Sequence, residues 1–208
     1  MEAVSSVERK SQTTSFPWLK LFKPLVFLLC LYPLGFLVYG AFNDALGANP
    51  VEKIIRTTGD WALYFLLITL TVTPLRKLSG WNWLIRYRRM LGLFAFFYAL
   101  LHFTSYVWFD QFFNVSEIVK DIIKRPFITI GFICLVLLVP LAVTSTNGMM
   151  KRLKKNWKRI HNLIYPIALL GVLHYFMMTR ADFLEPGIVL VILLSLLGYR
   201  LVVLRKRG

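Results

Sequence analysis

The stretch Met90–Phe109, MLGLFAFFYALLHFTSYVWF, decides the fold class of this chain. It contains no Lys, Arg, Asp or Glu. A helix of about 20 residues rises roughly 30 Å, which is the thickness of the hydrocarbon core of a bilayer. We therefore interpret the stretch as a transmembrane helix that carries a histidine, His102, within it.

The rest of the chain is also rich in apolar residues. Of 208 residues, 57% are hydrophobic and 17% are charged, whereas a soluble domain is roughly 45–50% apolar and about a quarter charged. Five more stretches have the composition of a span: Leu21–Phe42, Gly59–Leu75, Phe127–Ser145, Ile160–Thr179 and Pro186–Leu204. The sequence predicts an all-α membrane protein, a bundle of six transmembrane helices over residues 21–204. A polar cytoplasmic segment, residues 1–20, precedes the bundle, and a short cytoplasmic tail, residues 205–208, follows it.

The charged residues alternate between the two ends of these spans. The N-terminus, the 76–89 and 147–159 loops and the C-terminal end hold 19 of the 25 basic residues and sum to +17, while the other three loops sum to −2. Loops rich in Lys and Arg stay on the cytoplasmic side of a membrane, so both termini are predicted to be cytoplasmic. This bias accounts for most of the net charge of +15. We therefore expect membrane lipid, and no nucleic acid, as a partner.

The histidines lie at two depths. His102 lies about 12 residues into the third span and His174 about 14 residues into the fifth, so both are roughly 18–21 Å from the cytoplasmic ends of their helices. Two neutral imidazoles at one depth on neighbouring helices are able to ligate one haem iron from both sides. This pattern predicts a haem between the third and fifth spans, while a packing or proton-relay role remains the alternative for each histidine.

His161 lies at the cytoplasmic mouth of the fifth span. It precedes His174 by 13 residues, which is about 20 Å along a helix, so it cannot ligate the same iron. Three roles stay open for His161: a ligand to a second, inner haem, a point of electron entry, or an interfacial histidine among basic residues that binds nothing. The chain has no fourth histidine to oppose it.

Basic residues surround this cytoplasmic mouth. Arg86, Arg88, Arg89 and Arg159 are candidates to contact a flavin phosphate, haem propionates or an acidic electron donor. The same residues also fit the positive-inside rule and attraction to anionic lipid. The two cysteines, Cys30 and Cys134, form neither CxxC nor CxxCH, which excludes a zinc knuckle and covalently attached haem.

Several stretches, in this order along the chain, resemble one family of bacterial membrane proteins. They are Gly47–Val51 (GANPV), Arg89–Leu93 (RMLGL), Leu101–Tyr106 (LHFTSY), Arg125–Thr129 (RPFIT), Leu141–Thr146 (LAVTST) and Trp157–Tyr165 (WKRIHNLIY). The resemblance is to the MsrQ (YedZ) family, the haem-binding membrane subunits of periplasmic methionine sulfoxide reductases. The wider group is the ferric reductase-like transmembrane domains.

The resemblance implies a role and a set of cofactors. It implies that the chain binds haem b and FMN, and that it is an electron-transfer subunit with no catalytic residue of its own. Electrons would pass from the quinone pool, or from a cytosolic flavin reductase, across the bacterial inner membrane to MsrP, a periplasmic molybdopterin reductase that repairs oxidised proteins. The three family histidines match His102, His161 and His174.

The chain departs from larger relatives of this family in two respects. Those relatives use paired histidines on two spans to stack two haems, whereas the third span here carries only His102. They also carry a fused domain that binds flavin and nicotinamide cofactors. For this chain, the resemblance predicts that the electron donor is a separate protein.

Two other functions remain open at this stage. A stand-alone transmembrane ferric or quinone reductase would reduce a small acceptor directly. A proton-coupled transporter would use the histidines as relays and would bind no haem. Transporters commonly show repeated halves, and no convincing repeat is visible in this sequence.

Overall fold

The computed structural model describes residues 18–179 and 182–205. Residues 1–17 and 206–208, which make up most of the predicted N-terminal segment and tail, lie outside the described residues. Within the described ranges all regular secondary structure is helical. Six helical segments are long and apolar enough to cross a membrane, as the sequence predicted.

The described residues form nine α-helices. They are α1 (Trp18–Phe42), α2 (Pro50–Ser79), α3 (Arg88–Ser105), α4 (Val115–Lys124), α5 (Pro126–Val143), α6 (Asn147–Leu153), α7 (Lys155–His161), α8 (Ile164–Met178) and α9 (Leu184–Arg205). A short 3₁₀ helix, Asn82–Arg86, precedes α3, and a π-helical turn, Tyr106–Asp110, extends it. The fifth span consists of α7 and α8 in succession.

Helix α2 begins nine residues earlier than the span predicted from Gly59. The side chain of Asn49 accepts a hydrogen bond from the backbone N–H of Glu52, and Pro50 occupies the first turn, which is a typical helix start. Charged residues in the first two turns kept this segment out of the apolar window used for the prediction. The extra turns matter because they include Ile55, whose backbone carbonyl contacts the side chain of His102 on α3.

Helix α4 was not predicted, because the sequence analysis treated residues 110–126 as an outer loop. Asn114 caps it by accepting from the backbone N–H of Glu117, and Arg125 separates it from α5. Its apolar residues fall on one side of the helix, a pattern of amphipathic surface helices. It was missed because ten residues are too few to span a bilayer.

The bundle is organised around two packed helix pairs, α2 with α3 and α5 with α8. Phe65 on α2 stacks on Phe94 and Tyr98 of α3. The Tyr98 side chain is fully buried. Its hydroxyl donates to the carbonyl of Cys30 at 2.8 Å and accepts from the N–H of Leu34 at 3.2 Å, so it ties α1 to the pair. These contacts position α3, the helix that carries His102.

Candidate functional site

His102 and His174 lie next to each other in the bundle, with their rings packed edge to face. His102 belongs to α3 and His174 to α8, and their ring centres are 6.1 Å apart with the ring planes at 75°. The equal depths counted from the sequence thus correspond to a direct encounter of the two rings.

Each of these imidazoles is held by a backbone carbonyl. The Nδ1 of His102 lies 2.8 Å from the carbonyl oxygen of Ile55 on α2. The Nδ1 of His174 lies 2.7 Å from the carbonyl oxygen of Phe127 on α5. A carbonyl can only accept, so Nδ1 carries the proton in both rings. In a neutral imidazole this leaves the Nε2 lone pair free to bind a metal.

A glycine clears space beside each ring. A Cβ atom added at Gly59 would lie 3.0 Å from the Cε1 and Nδ1 of His102, and one added at Gly131 would lie 2.9 Å from the Cε1 of His174. Each glycine is four residues beyond the carbonyl acceptor, and hence about one helical turn further along the same face. Any side chain at either position would displace the ring or the helix.

The two halves of the site repeat the same arrangement. The carbonyl acceptor precedes its histidine by 47 residues in both cases, and Gly59 and Gly131 precede theirs by 43. Sequence analysis missed both carbonyls and both glycines, and it found no repeat. The equal glycine-to-histidine separation was the signal that could have revealed them.

The separation of the two ring centres fits one metal ion between two imidazoles. Two metal–nitrogen bonds of about 2 Å, plus roughly 1.1 Å from each nitrogen to its ring centre, give about 6 Å between the centres. The observed separation is 6.1 Å. In the described part of the chain, no three His, Cys, Asp or Glu side chains group as a metal site. The pair therefore suits a metal that brings its remaining ligands with it, as haem iron does.

His161 is not brought to this pair. Its ring stacks on Trp157 with the centres 4.0 Å apart, and its Nε2 lies 3.1 Å from the hydroxyl of Thr144. That hydroxyl donates to the carbonyl of Pro140 at 2.6 Å. Thr144 therefore accepts from His161, whose Nε2 carries the proton in this arrangement.

The four predicted arginines separate by exposure. Arg86, Arg89 and Arg159 are exposed, whereas Arg88 is partly buried. Arg89 donates to the Asn147 side chain at 2.7 Å and contacts the Met150 sulfur at 3.1 Å, linking α3 to α6.

Arg88 instead faces two residues that sequence analysis had not selected. It interacts with the hydroxyl of Tyr165 and with the positive charge of Arg200. Neither residue lies near Arg88 in sequence, so only the packing of α3, α8 and α9 shows the relationship.

Six spans and a histidine pair between the third and fifth define a class, the ferric reductase-like membrane proteins. The family described as "Ferric reductase like transmembrane component" matches residues 58–172. This range includes all three histidines.

Curated relatives identify the family within this class. The chain is 60% identical to a protein of Herminiimonas arsenicoxydans over 173 residues, 82% of this chain and 79% of the relative. It is 51% identical to one of Polaromonas naphthalenivorans (86% and 83% covered) and 56% identical to one of Xanthomonas campestris pv. campestris (76% and 72% covered). Each is named protein-methionine-sulfoxide reductase heme-binding subunit MsrQ. The chain belongs to the MsrQ family. No solved structure matches it.

Proposed function

We propose that this protein is a b-type cytochrome of the bacterial inner membrane that carries electrons to a periplasmic methionine sulfoxide reductase. The observation that carries the proposal is the His102–His174 pair, with ring centres 6.1 Å apart and both Nδ1 atoms held by carbonyls. The relatives' names support it, since they describe a haem-binding subunit of such a reductase.

His102 and His174 are the residues that would hold the haem iron, each through its Nε2 atom. Haem b supplies one-electron chemistry when it is bound. With an imidazole on each side, the iron would have no open site for oxygen, which would favour electron transfer. The carbonyls of Ile55 and Phe127 orient the rings before the metal arrives, so little reorganisation accompanies binding.

His161 belongs to the electron-entry end of the proposed path. The positive-inside rule places its end of the bundle in the cytoplasm and the histidine pair in the outer half of the membrane. If His161 held a second haem, its Nε2 would bind iron and would lose its hydrogen bond to the Thr144 hydroxyl. The ratio of haem to chain distinguishes this arrangement from an entry point without haem.

The proposed partners follow from the family. The acceptor is MsrP, the periplasmic molybdopterin reductase, and the donor is the quinone pool or a cytosolic flavin reductase. FMN is the second proposed cofactor, at the cytoplasmic end. Both termini of the chain lie in the cytoplasm in this arrangement.

The test is re-oxidation of the reduced haem. Protein in lipid nanodiscs is reduced with a limiting amount of dithionite, and the purified periplasmic reductase is added with methionine sulfoxide. We expect complete, catalytic haem re-oxidation only when both reductase and substrate are present, because the reductase alone accepts no more electrons than its own molybdenum centre holds. Equal re-oxidation by ferric citrate or a soluble quinone, with no response to the reductase, would instead support a stand-alone reductase. A protein without haem would contradict the proposal outright.

A further inference from the structure

Three arginines and a tyrosine converge at the cytoplasmic end of the bundle. We call Arg76, Arg88, Tyr165 and Arg200 the Arg88 cluster; they come from α2, α3, α8 and α9, and all four are partly buried. The guanidinium carbon of Arg200 lies 4.5 Å from the centre of the Tyr165 ring. Arg88 interacts with the Tyr165 hydroxyl and with the positive charges of Arg200 and Arg76.

No described carboxylate neutralises this cluster. The ion pairs among the described residues are Arg56–Glu52, Lys120–Glu117 and Arg125–Asp121, and all three lie toward the opposite end of the bundle. Every Asp and Glu in residues 18–179 and 182–205 belongs to that opposite end. Like charges that are partly removed from water repel each other more strongly than on the surface. An anion between them would relieve this repulsion.

A threonine hydroxyl gives a second observation at the same level. The helices α2 and α3 run antiparallel, and Gly59 lies beside His102 while Thr69 lies beside Gly92. Each step forward on α2 thus matches one step back on α3. Continuing this register by four residues places Thr73 level with Arg88. The buried Oγ1 of Thr73 has no hydrogen-bond partner among the described residues. The hydroxyls of Thr69 and Thr71 on the same helix donate to backbone carbonyls.

We propose that the Arg88 cluster binds a phosphate group, that of the FMN named under the proposed function, on which this inference rests. A phosphate monoester carries a charge of about −1.5 to −2 near neutral pH, whereas a lipid phosphodiester carries a single negative charge. Three guanidinium groups therefore match the monoester better. Arginine donates paired hydrogen bonds to phosphate oxygens, and the Tyr165 hydroxyl adds a further donor. Arg86 and Arg159 are exposed and lie outside the Arg88 cluster.

The experiment compares FMN with riboflavin, which lacks the phosphate. The full-length protein is placed in nanodiscs of phosphatidylcholine, and each flavin is titrated by fluorescence quenching. We expect FMN to bind at least roughly 10-fold tighter than riboflavin, and Arg88→Gln and Arg200→Gln to remove roughly 10- to 100-fold of FMN affinity while leaving riboflavin unchanged. Arg152→Gln, at an exposed arginine of α6, is the matched control and should bind both flavins normally.

A lipid arm distinguishes the two sources of phosphate. The protein is purified from a mixture of phosphatidylglycerol and phosphatidylcholine, and the retained lipids are counted by native mass spectrometry. Retention of phosphatidylglycerol that Arg88→Gln abolishes, with no FMN preference, would overturn the flavin assignment and identify a lipid headgroup site. Equal binding of both flavins and equal lipid retention in all variants would overturn the phosphate site altogether.

The haem spectrum of each variant separates this inference from the proposed function. A variant that keeps the spectrum of the unaltered protein is folded, so its loss of FMN affinity is local to the Arg88 cluster. Absence of haem from the unaltered protein contradicts the proposed function, and the flavin comparison then still tests the Arg88 cluster, with helical circular dichroism in place of the haem spectrum as the measure of folding. Arg88→Lys, which keeps the charge without the planar fork, should retain part of the FMN preference.

Discussion

The two paired histidines differ from many metal-binding histidines in the partner of their second nitrogen. Carboxylates and carbonyls both fix the tautomer of such a ring, and a carboxylate raises its basicity more. Here both partners are neutral carbonyls, those of Ile55 and Phe127. A neutral partner also avoids placing an uncompensated carboxylate within the membrane, where a buried charge is costly.

The glycines beside the rings give the sharpest prediction at the residue scale. In Gly131→Ala the added methyl would lie 2.9 Å from the Cε1 of His174, closer than van der Waals contact allows. We expect the ring to rotate away and the haem to change from a six-coordinate to a five-coordinate optical spectrum. Gly198→Ala is the control, since a Cβ there meets nothing within 4 Å. An unchanged six-coordinate spectrum in Gly131→Ala would show that the glycine does not set the ring position.

The histidine pair could be predicted from sequence, but its surroundings could not. Counting residues from the basic ends of their spans was enough to predict one depth for His102 and His174, because a helix has a fixed rise per residue. The acceptor of each Nδ1 hydrogen bond is a backbone carbonyl, which every residue type has. The sequence therefore contains no signal for its position. Gly59 and Gly131 gain meaning only once the register between neighbouring helices is known.

At the scale of elements, Tyr98 joins the first span to the central helix pair. In a regular helix the Leu34 N–H would bond to the Cys30 carbonyl four residues earlier. The Tyr98 hydroxyl bonds to both of these groups, in a segment of α1 that also contains Pro33. Side-chain insertion into a helix ladder is a known cause of local helix distortion.

Tyr98→Phe should therefore loosen α1 without removing the histidine pair. It removes the hydroxyl that joins α3 to the Cys30 carbonyl and the Leu34 N–H. Because these two backbone groups are then able to bond to each other, we expect a loss of about 0.5–1.5 kcal/mol of unfolding free energy, as for one hydrogen bond. Thermal unfolding in detergent, followed by helical circular dichroism, would measure the loss. Tyr39→Phe serves as the control, because Tyr39 on the same helix is 67% exposed. Equal stability of the two variants would mean that the Tyr98 hydroxyl contributes nothing to helix packing.

The elements themselves were predicted unevenly. The spans were found because continuous apolar stretches are a strong signal, and α5 agrees with its prediction within two residues. The start of α2 was missed because Glu52, Lys53 and Arg56 interrupt the apolar pattern. Its capping residue, Asn49, was present in the sequence and would have indicated the earlier start.

At the scale of the whole molecule, the charge distribution predicts the orientation in the membrane. The loops that sum to +17 and those that sum to −2 lie at opposite ends of the spans. The Arg88 cluster lies at the basic end, and α4 lies at the other. The proposed electron path therefore runs from the basic end to the acidic one.

Labelling of single cysteines tests this orientation. Lys120 on α4 and Lys151 on α6 are both exposed, and the native cysteines lie within the spans. In intact spheroplasts, a membrane-impermeant maleimide should label Lys120→Cys and spare Lys151→Cys until the membrane is permeabilised. The reverse pattern would invert the topology and with it the direction of electron flow.

The central claim is that His102 and His174 hold one haem iron between them. The most direct measurement is the reduced-minus-oxidised optical spectrum, with haem quantified per chain, of the unaltered protein and its three histidine variants. We predict a low-spin b-type spectrum that His102→Ala and His174→Ala each abolish for the outer haem, and that His161→Ala preserves. A six-coordinate low-spin spectrum that survives in both His102→Ala and His174→Ala would contradict the account.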